Sequence, residues 1–330
     1  MADASAPEPP PVVEQIYAGY DHACALLSDR TAKCWGSNTY DQLGRATFGG
    51  PVNVPAPVEQ LDGAVQLSLG EVSSCAVRSD GIAKCWGDNS LGGLGTGEFG
   101  TITFPPVAVA LDDIVQISVG FFSCAIRLDQ SLWCWGPWRD GVLDPAPVRS
   151  PWVQHAAVLP TSDPWCLLLP DSTAMCRGPN DHGAVGDGTF LDRDAYTAVL
   201  ALDGAKQIAR EGSSHACALR QEGSVFCWGA AAHLGGGSDA DSAVPVPVVL
   251  EAPATTLASK FGATCAVLVD GTAWCWGYNF RGQLGDGSTD DQLLPVRVAD
   301  LENVRSIALG AVFGCALLED RSVWCWGENL

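Results

Sequence analysis

The sequence has few basic residues and no long apolar run. Lys and Arg together number 18 against 38 Asp and Glu, which gives a net charge of −20. Nucleic-acid-binding proteins normally carry a basic patch that displaces counterions from phosphates, so this charge argues against nucleic acid as a partner. No stretch of 18 apolar residues is present, which argues against membrane insertion. The acidic charge would attract basic protein surfaces.

Sequence signatures of common catalytic sites are also missing. There is no G-x-S-x-G, phosphate-binding glycine loop, H-E-x-x-H or dinucleotide-binding fingerprint. His22 and His215 occupy the same repeat position, two residues before a cysteine, which favours a structural role in a turn. The acidic stretches 239–241 and 286–291 lack the spacing of a calcium loop and indicate solvated loop charge. We therefore predict no catalytic residue, no metal site and no cofactor.

Fourteen cysteines fall into seven pairs with the same internal spacing. The pairs are Cys24 with Cys34, Cys75 with Cys85, Cys124 with Cys134, Cys166 with Cys176, Cys217 with Cys227, Cys265 with Cys275, and Cys315 with Cys325. The first cysteines recur every 48 to 51 residues, except for an interval of 42 before Cys166. A fixed period near 50 residues is the signature of a propeller or a solenoid.

Each repeat has the pattern of four short strands. An alternating segment ending in Gly precedes the first cysteine, the second cysteine begins Cys-Trp-Gly in six of seven repeats, and several repeats continue into a Gly-rich loop and a Pro-Val strand. Such repeats predict the blades of a propeller. The predicted fold is all-β, a seven-bladed β-propeller over residues 12–330 with four short antiparallel strands per blade. A flexible, acidic, Pro-rich leader covers residues 1–11, and residues 10–13 are a candidate for the last strand of the seventh blade.

A separation of ten residues places the two cysteines of a pair opposite each other in a hairpin with a three-residue loop. Such a loop ends in a left-handed residue, usually Gly. That position is Gly in three repeats, so Arg30, Gln130, Ser172 and Arg321 must either adopt the left-handed conformation in the others or belong to a different turn. Opposed cysteines are close enough to bond, so we predict seven disulfides within blades. Buried, reduced cysteines are the alternative.

Seven disulfides would place the protein in an oxidising compartment, namely secreted, periplasmic or at the cell surface. The first eleven residues lack the basic start and apolar stretch of a signal peptide. Either the protein stays in the cytoplasm, or an export signal is absent from this sequence. No N-x-S/T sequon is present, which favours a bacterial over a eukaryotic secreted protein.

The repeat resembles that of the regulator of chromosome condensation repeat family. The clearest copy runs from Cys265-Ala266 through Asp270-Gly271, Cys275-Trp276-Gly277 and Asn279 to Gly282-Gln283-Leu284-Gly285-Asp286-Gly287, and a second has Asp41-Gln42-Leu43-Gly44 after Cys34-Trp35-Gly36. The resemblance extends from about Val12 to Asn329 and implies a seven-bladed propeller. Members of the family include a nucleotide-exchange factor for a small nuclear GTPase, a plant ultraviolet sensor and secreted bacterial inhibitors of β-lactamases. The acidic leader and the paired cysteines are closest to the secreted branch.

The tryptophans define a first candidate binding site. Nine of the twelve lie in or beside Cys-Trp-Gly and are predicted to pack between blades. Trp138, Trp152 and Trp165 lie instead with Arg139 and His155 near the shortened fourth repeat, where Cys-Arg-Gly replaces Cys-Trp-Gly. Trp and Arg are frequent at binding hot spots, so these five residues are predicted to bind a partner. A degenerate blade filled by aromatic side chains is the alternative.

The turn after each strand-ending Gly is the second candidate surface. It carries Tyr20, Asp21, Phe121, Phe122, Phe261 and Phe313. Equivalent turns of a propeller emerge on one face, and exposed aromatic residues with acidic neighbours suit protein recognition. Ordinary variation between turns is the alternative.

Together these features predict an extracytoplasmic, monomeric scaffold that binds a protein partner and is stabilised by disulfides within its blades. An enzyme with a site in the propeller channel or on a loop face is one alternative. The other is guanine-nucleotide exchange or another form of GTPase regulation, as the eukaryotic relatives imply.

Overall fold

Seven antiparallel sheets form a closed ring, and the predicted seven-bladed β-propeller is confirmed. The computed structural model describes residues 10–46, 52–139, 142–159, 165–211 and 214–328. Residues 1–9 of the predicted leader lie outside this range.

The strands follow the chain blade by blade, from the channel outwards. The first blade contains β1 (Val13–Ala18), β2 (His22–Leu27), β3 (Ala32–Gly36) and β4 (Val52–Pro57), and the second β5 (Ala64–Leu69), β6 (Ser73–Arg78), β7 (Ala83–Asp88) and β8 (Ile102–Ala108). The third contains β9 (Ile114–Val119), β10 (Ser123–Arg127), β11 (Leu132–Arg139) and β12 (Val142–Arg149), and the fourth β13 (Cys166–Leu168), β14 (Ala174–Gly178) and β15 (Arg193–Ala198). The fifth contains β16 (Ala205–Glu211), β17 (His215–Arg220), β18 (Val225–Gly229) and β19 (Ser242–Val248), and the sixth β20 (Ala254–Lys260), β21 (Ala263–Leu268), β22 (Ala273–Gly277) and β23 (Gln292–Arg297). The seventh contains β24 (Val304–Leu309), β25 (Phe313–Leu318) and β26 (Val323–Gly327), and a 3-10 turn covers Ala231–His233.

Two blades differ from the four-stranded pattern within the described residues. In the fourth blade a single bridge between Val158 and Leu168 stands where the other blades have an innermost strand. In the seventh blade the described residues form three strands. Val13 pairs with Leu27 at the start of β1, so the expectation that residues 10–13 complete the seventh blade is wrong.

Each predicted disulfide is present and joins the two cysteine-bearing strands of one repeat. The bonds join Cys24 to Cys34, Cys75 to Cys85, Cys124 to Cys134, Cys166 to Cys176, Cys217 to Cys227, Cys265 to Cys275, and Cys315 to Cys325. Their Cα–Cα distances are 4.0 to 4.1 Å, slightly shorter than the roughly 4.5 Å of an ordinary non-hydrogen-bonded antiparallel pair. All fourteen cysteines are thus bonded, and the alternative of buried, reduced cysteines does not describe this structure.

The backbone of the hairpin loops also follows the prediction. The four residues that replace Gly at the end of the loop are left-handed, with φ of 63° at Arg30, 65° at Gln130, 69° at Ser172 and 72° at Arg321. The three-residue loop therefore forms with or without Gly at that position.

The residue midway between the two cysteines of a pair is Asp or Glu in every repeat, and the hydrogen bonds of the hairpin turn explain this choice. Asp270 accepts hydrogen bonds from the backbone N–H of Thr272 at 2.9 Å and from its hydroxyl at 2.7 Å. These bonds lower the pKa of the Asp270 carboxyl. Asp29, Asp129 and Asp320 make the same pair of contacts two residues ahead. An Asp that bonds its own turn in this way favours the turn over an extended strand.

Tryptophans of Cys-Trp-Gly connect several blades to the blade before them. The side chains of Trp86, Trp135, Trp228 and Trp276 are fully buried. Their indole N–H groups donate to loop carbonyls of the preceding blade, as Trp135 does to Gly93 at 2.7 Å. The interpretation of all nine repeat tryptophans as core is wrong for Trp324, which is 60% exposed on β26.

His22 and His215 also join neighbouring blades. His22 Nε2 lies 2.8 Å from the hydroxyl of Ser74, and that hydroxyl donates to the Gln42 carbonyl, so Nε2 is the donor to Ser74. His215 Nε2 makes the equivalent contact to Thr264 at 2.9 Å. Both rings are fully buried within strands, so their role is structural as predicted but not in a turn. Burial, followed by the charge of Lys260, lowers the pKa of His22 to about 3.

Candidate protein-binding surfaces

Tyr20 and Phe261 meet at one mouth of the central channel. Their rings pack edge to face with centroids 5.5 Å apart, although they come from the first and sixth blades. The backbone of Tyr20 donates to the Gly70 carbonyl of the second blade and accepts from the N–H of Ala311 in the seventh. This turn therefore connects blades at both of its sides, and the first and last repeats meet here.

Phe261 is held in an unusual backbone conformation. It has a φ of 44°, and Gly262 after it has a φ of 77°. Left-handed geometry is rare for a bulky residue and marks positions that the surrounding structure must maintain. His233 hydrogen-bonds the backbone of Gly262, and the ring of Tyr278 packs against His233 at 4.4 Å. The Phe261 side chain is 38% exposed.

Phe121 is the most exposed of the predicted turn residues, whereas the neighbouring Phe122 is buried. The exposed fractions are 60% for Phe121 and 1% for Phe122. Phe122 packs edge to face on Trp165, with ring centroids 5.0 Å apart. The prediction that Phe122 is available to a partner is therefore wrong. Phe313 is half-buried. It packs against a hydrophobic cluster between the first and seventh blades that contains Ile16 and Leu317.

An acidic group lies beside Tyr20. Burial raises the pKa of the half-buried Asp21 carboxyl, and the negative charges of Glu71 and Glu328 raise it further. Glu328 also pairs with Arg281, with 3.3 Å between Nε and the carboxylate. Sequence reasoning missed Glu328. We name Tyr20, Asp21, Glu71, Phe121 and Phe261 together the channel-mouth surface.

The other predicted site forms around Arg177, a residue that was not predicted to be part of it. The Arg177 guanidinium lies 4.6 Å from the ring of Trp152 and 5.9 Å from that of Trp165, with Phe122 and Tyr196 at similar distances. It donates a hydrogen bond to the Trp138 carbonyl. The signal in the sequence was the replacement of Trp by Arg in the fourth Cys-x-Gly motif.

Most of this cluster is packing between the third and fourth blades. Trp138 is 1% exposed, and its indole donates to Asp144 at 2.7 Å. The prediction that Trp138 contacts a partner is therefore wrong, because its ring fills the interior beside Arg177. Trp165 is half-buried against Phe122, and Arg139 is the last residue of β11, its side chain lying outside the described part.

Trp152 and His155 line a separate cavity of about 470 Å³. His155 is exposed and Trp152 is half-buried, with its ring edge to face on Trp138 at 5.4 Å. Two of the five residues predicted for this site thus border open space.

The central channel is where one of the alternatives places an enzyme site. It encloses about 600 Å³ between the innermost strands. Among its described lining residues, Glu14 supplies the one carboxylate and none is a histidine. Ser259 lines the channel with its hydroxyl 3.0 Å from His215 Nε2. The same nitrogen also contacts the Thr264 hydroxyl at 2.9 Å, between the fifth and sixth blades.

Within the described ranges, no group of three or more His, Cys, Asp or Glu side chains is arranged to hold a metal ion. None of the helical segments described is long and apolar enough to span a membrane.

Comparison with known proteins identifies the repeat. A family model for the Regulator of chromosome condensation (RCC1) repeat matches residues 270–317, and a second model for the same repeat matches 13–42, 208–232 and 255–283. The chain is 31% identical over 228 residues to the E3 ubiquitin-protein ligase HERC2 of Homo sapiens, which covers 62% of this chain and 5% of HERC2. It is 27% identical over 308 residues to the Ultraviolet-B receptor UVR8 of Arabidopsis thaliana, which covers 86% of this chain and 69% of UVR8.

Among solved structures, Prp20p of Saccharomyces cerevisiae superimposes with a TM-score of 0.80 at 19% identity, covering 94% of this chain and 84% of Prp20p. The chain thus spans a small part of HERC2 and most of Prp20p. The repeat motifs, the family models and the seven-bladed ring agree, and they identify the repeats of this chain as regulator of chromosome condensation (RCC1) repeats.

Proposed function

We propose that this protein is an extracytoplasmic scaffold that binds a protein partner through the channel-mouth surface and catalyses no reaction. The observation that carries the proposal is the combination of exposed Phe121 and Phe261 with the acidic residues Asp21 and Glu71 around one mouth of the channel. Aromatic side chains supply large contact areas at interfaces, and exposed apolar patches rimmed by polar residues mark interaction sites.

The charge of the surface selects the kind of partner. Burial raises the pKa of Asp21, and repulsion from Glu71 and Glu328 raises it further, so a positive charge placed beside these groups stabilises the ionised carboxylate. The net charge of −20 acts in the same direction at longer range and speeds the encounter with a basic partner. We therefore expect a partner with Lys or Arg around an apolar centre.

The disulfides support the extracytoplasmic location. All seven cystines lie within blades, and thirteen of the fourteen cysteine residues are buried. Structural disulfides persist in secreted and periplasmic proteins and are rare in a reducing cytoplasm. Intact mass spectrometry of the protein from its native source, without reductant, should give a mass two hydrogens lower per disulfide than the reduced chain. A mass equal to that of the fully reduced chain would contradict this location.

Binding is tested by capture from the extracytoplasmic fraction of the native source with purified wild-type protein and variants as bait. Phe121→Ser combined with Phe261→Asn removes both exposed rings, and Asn tolerates the left-handed backbone at position 261. Leu128→Ser is the matched control, because Leu128 is 75% exposed at the other end of β10 from Phe121. A partner retained by wild type and by Leu128→Ser, and lost at least about tenfold by the double variant, supports the proposal.

Equal capture by all three proteins would contradict the assignment of the surface. Thermal unfolding of each variant checks that the loss of binding does not arise from loss of the fold. The monomeric state stays a prediction, and light scattering on the purified protein measures it.

A further inference from the structure

A groove lies at the opposite end of the blades from the channel-mouth surface. Its volume is about 470 Å³, within the range of small-ligand pockets. One wall comes from the β13–β14 hairpin, with Leu169, Pro170 and Asp171, and the other from Gln130 of the β10–β11 hairpin. The segment 152–155 lies between them, and Met175 of β14 completes the lining.

The groove lies where the third blade connects to the fourth, whose innermost strand is reduced to a single bridge in the described residues. In three other connections, left-handed residues turn the chain from the outermost strand of one blade to the innermost strand of the next: Gln60 and Gly63, Ala201 and Gly204, Asp300 and Asn303. The described segment 150–157 contains no such residue. It also leads into the single Val158–Leu168 bridge instead of a full inner strand. Among the described blade boundaries, the reduced inner strand is found at this one.

The lining is mainly apolar and its Trp is fixed from behind. Val153, Leu169, Pro170 and Met175 contribute apolar surface. The Trp152 ring packs on Trp138 and under the Arg177 guanidinium, 4.6 Å away. A ring held in this way loses little freedom when a ligand covers it, which favours binding.

We propose that this groove binds an extended segment of a partner polypeptide, which inserts one leucine-sized side chain flanked by Lys or Arg. The apolar lining fits the inserted side chain, and Asp171 at the rim fits the flanking cation. Hydrogen bonds from Thr173 lower the pKa of Asp171, so its carboxylate is charged at neutral pH. A second copy of this chain carries the same charge of −20 and is a poorer match. The inference is independent of the channel-mouth surface.

The two methionines of the sequence provide a direct measurement. Met175 lines the groove and Met1 is the other methionine, so protein labelled with ¹³C at the methionine methyl groups gives one reporter and one internal reference. The probe is the peptide acetyl-Gly-Lys-Leu-Lys-Gly-amide. A saturable shift of the Met175 signal, with the Met1 signal unmoved, is the expected result. The same peptide with Ser in place of Leu should cause no saturable shift, and the one with Glu in place of both Lys should bind at least about threefold more weakly.

Two matched variants separate the groove from the general charge of the protein. Asp171→Asn keeps an acceptor for Thr173 and removes the charge, and Asp270→Asn does the same at the equivalent turn of the sixth blade. We expect about threefold weaker binding for the first and no change for the second. No shift at millimolar peptide, equal effects of Ser and Leu peptides, or equal effects of the two variants would overturn the proposal. A Met175 shift that depends on protein concentration without peptide would replace it by self-association.

Discussion

Acidification should destabilise the fold through His22. The ring is fully buried and neutral, and its pKa falls from an ordinary 6.5 to about 3 in the folded state. The unfolded chain therefore binds a proton that the folded chain does not, at every pH between these values. The stability that depends on neutral His22 is complete above pH 6.5 and is lost as the pH falls from 6.5 towards 3.

The size of the loss at about pH 5 follows from these two pKa values. Because the pKa of His22 in the folded protein lies well below pH 5, the loss of stability depends almost entirely on its pKa in the unfolded chain. The linkage between protonation and unfolding then lowers the free energy of unfolding by about 2 kcal/mol relative to neutral pH. His215, with its pKa also lowered strongly by burial and then by the charges of His233 and Arg210, adds to the loss in the same direction.

The assay is urea unfolding of wild type and His22→Gln at about pH 7.5 and about pH 5, followed by tryptophan fluorescence and circular dichroism. Gln can keep the donor to Ser74 and removes the titration, so the drop in unfolding free energy between the two pH values should be smaller by about 2 kcal/mol in the variant. His155→Gln, at an exposed position, should show the wild-type drop. If His22→Gln and wild type lose the same free energy, the assignment of a buried neutral His22 is refuted.

Three further predictions concern the frame of the propeller, each measured by urea unfolding. Replacing Cys265 and Cys275 by Ser should lower the free energy of unfolding by about 3 kcal/mol, because a loop of about ten residues is released in the unfolded chain; a loss below about 1 kcal/mol would contradict that account. Trp135→Phe should cost about 1 kcal/mol, since it removes the indole donor to the second blade, while Trp324→Phe at an exposed position should be neutral; equal losses would argue against the contact. Gly277→Ala should cost more than about 2 kcal/mol, because φ is 99° and a Cβ would lie 2.0 Å from a carbonyl oxygen; a neutral result would show that this approach relaxes easily.

The fold could be predicted because its determinants are local and repeated. The ten-residue separation between Cys24 and Cys34 indicates a hairpin with an odd number of loop residues, and the common three-residue loop has the left-handed conformation found at Arg30. The same arithmetic holds in every blade. The contacts between blades were not predictable in this way, because they join residues about 40 to 50 positions apart, such as Trp135 with Gly93 and His22 with Ser74.

The candidate sites were predicted less well, and the failures have a common cause. Sequence position placed Phe121 and Phe122 together, but in the turn between β9 and β10 one ring lies in solvent while the other packs on Trp165. The same limitation applied to Trp138, whose burial follows from the position of Arg177 on a neighbouring blade. The clue was available at the level of the repeat, because Arg177 stands where the other repeats have Trp.

The rigidity of the frame bears on both proposed surfaces. A disulfide holds the two cysteine-bearing strands of each blade at Cα–Cα distances near 4 Å, and indole and imidazole hydrogen bonds join several neighbouring blades. Phe121 and Trp152 are therefore carried by backbone that is already ordered before a partner arrives, so less conformational entropy is lost on binding than on a flexible loop. The two surfaces lie at opposite ends of β10, and one partner need not exclude the other. If both proposals hold, occupation of the groove, monitored by the Met175 signal, should leave capture through Phe121 and Phe261 unchanged, because the two surfaces share no residue.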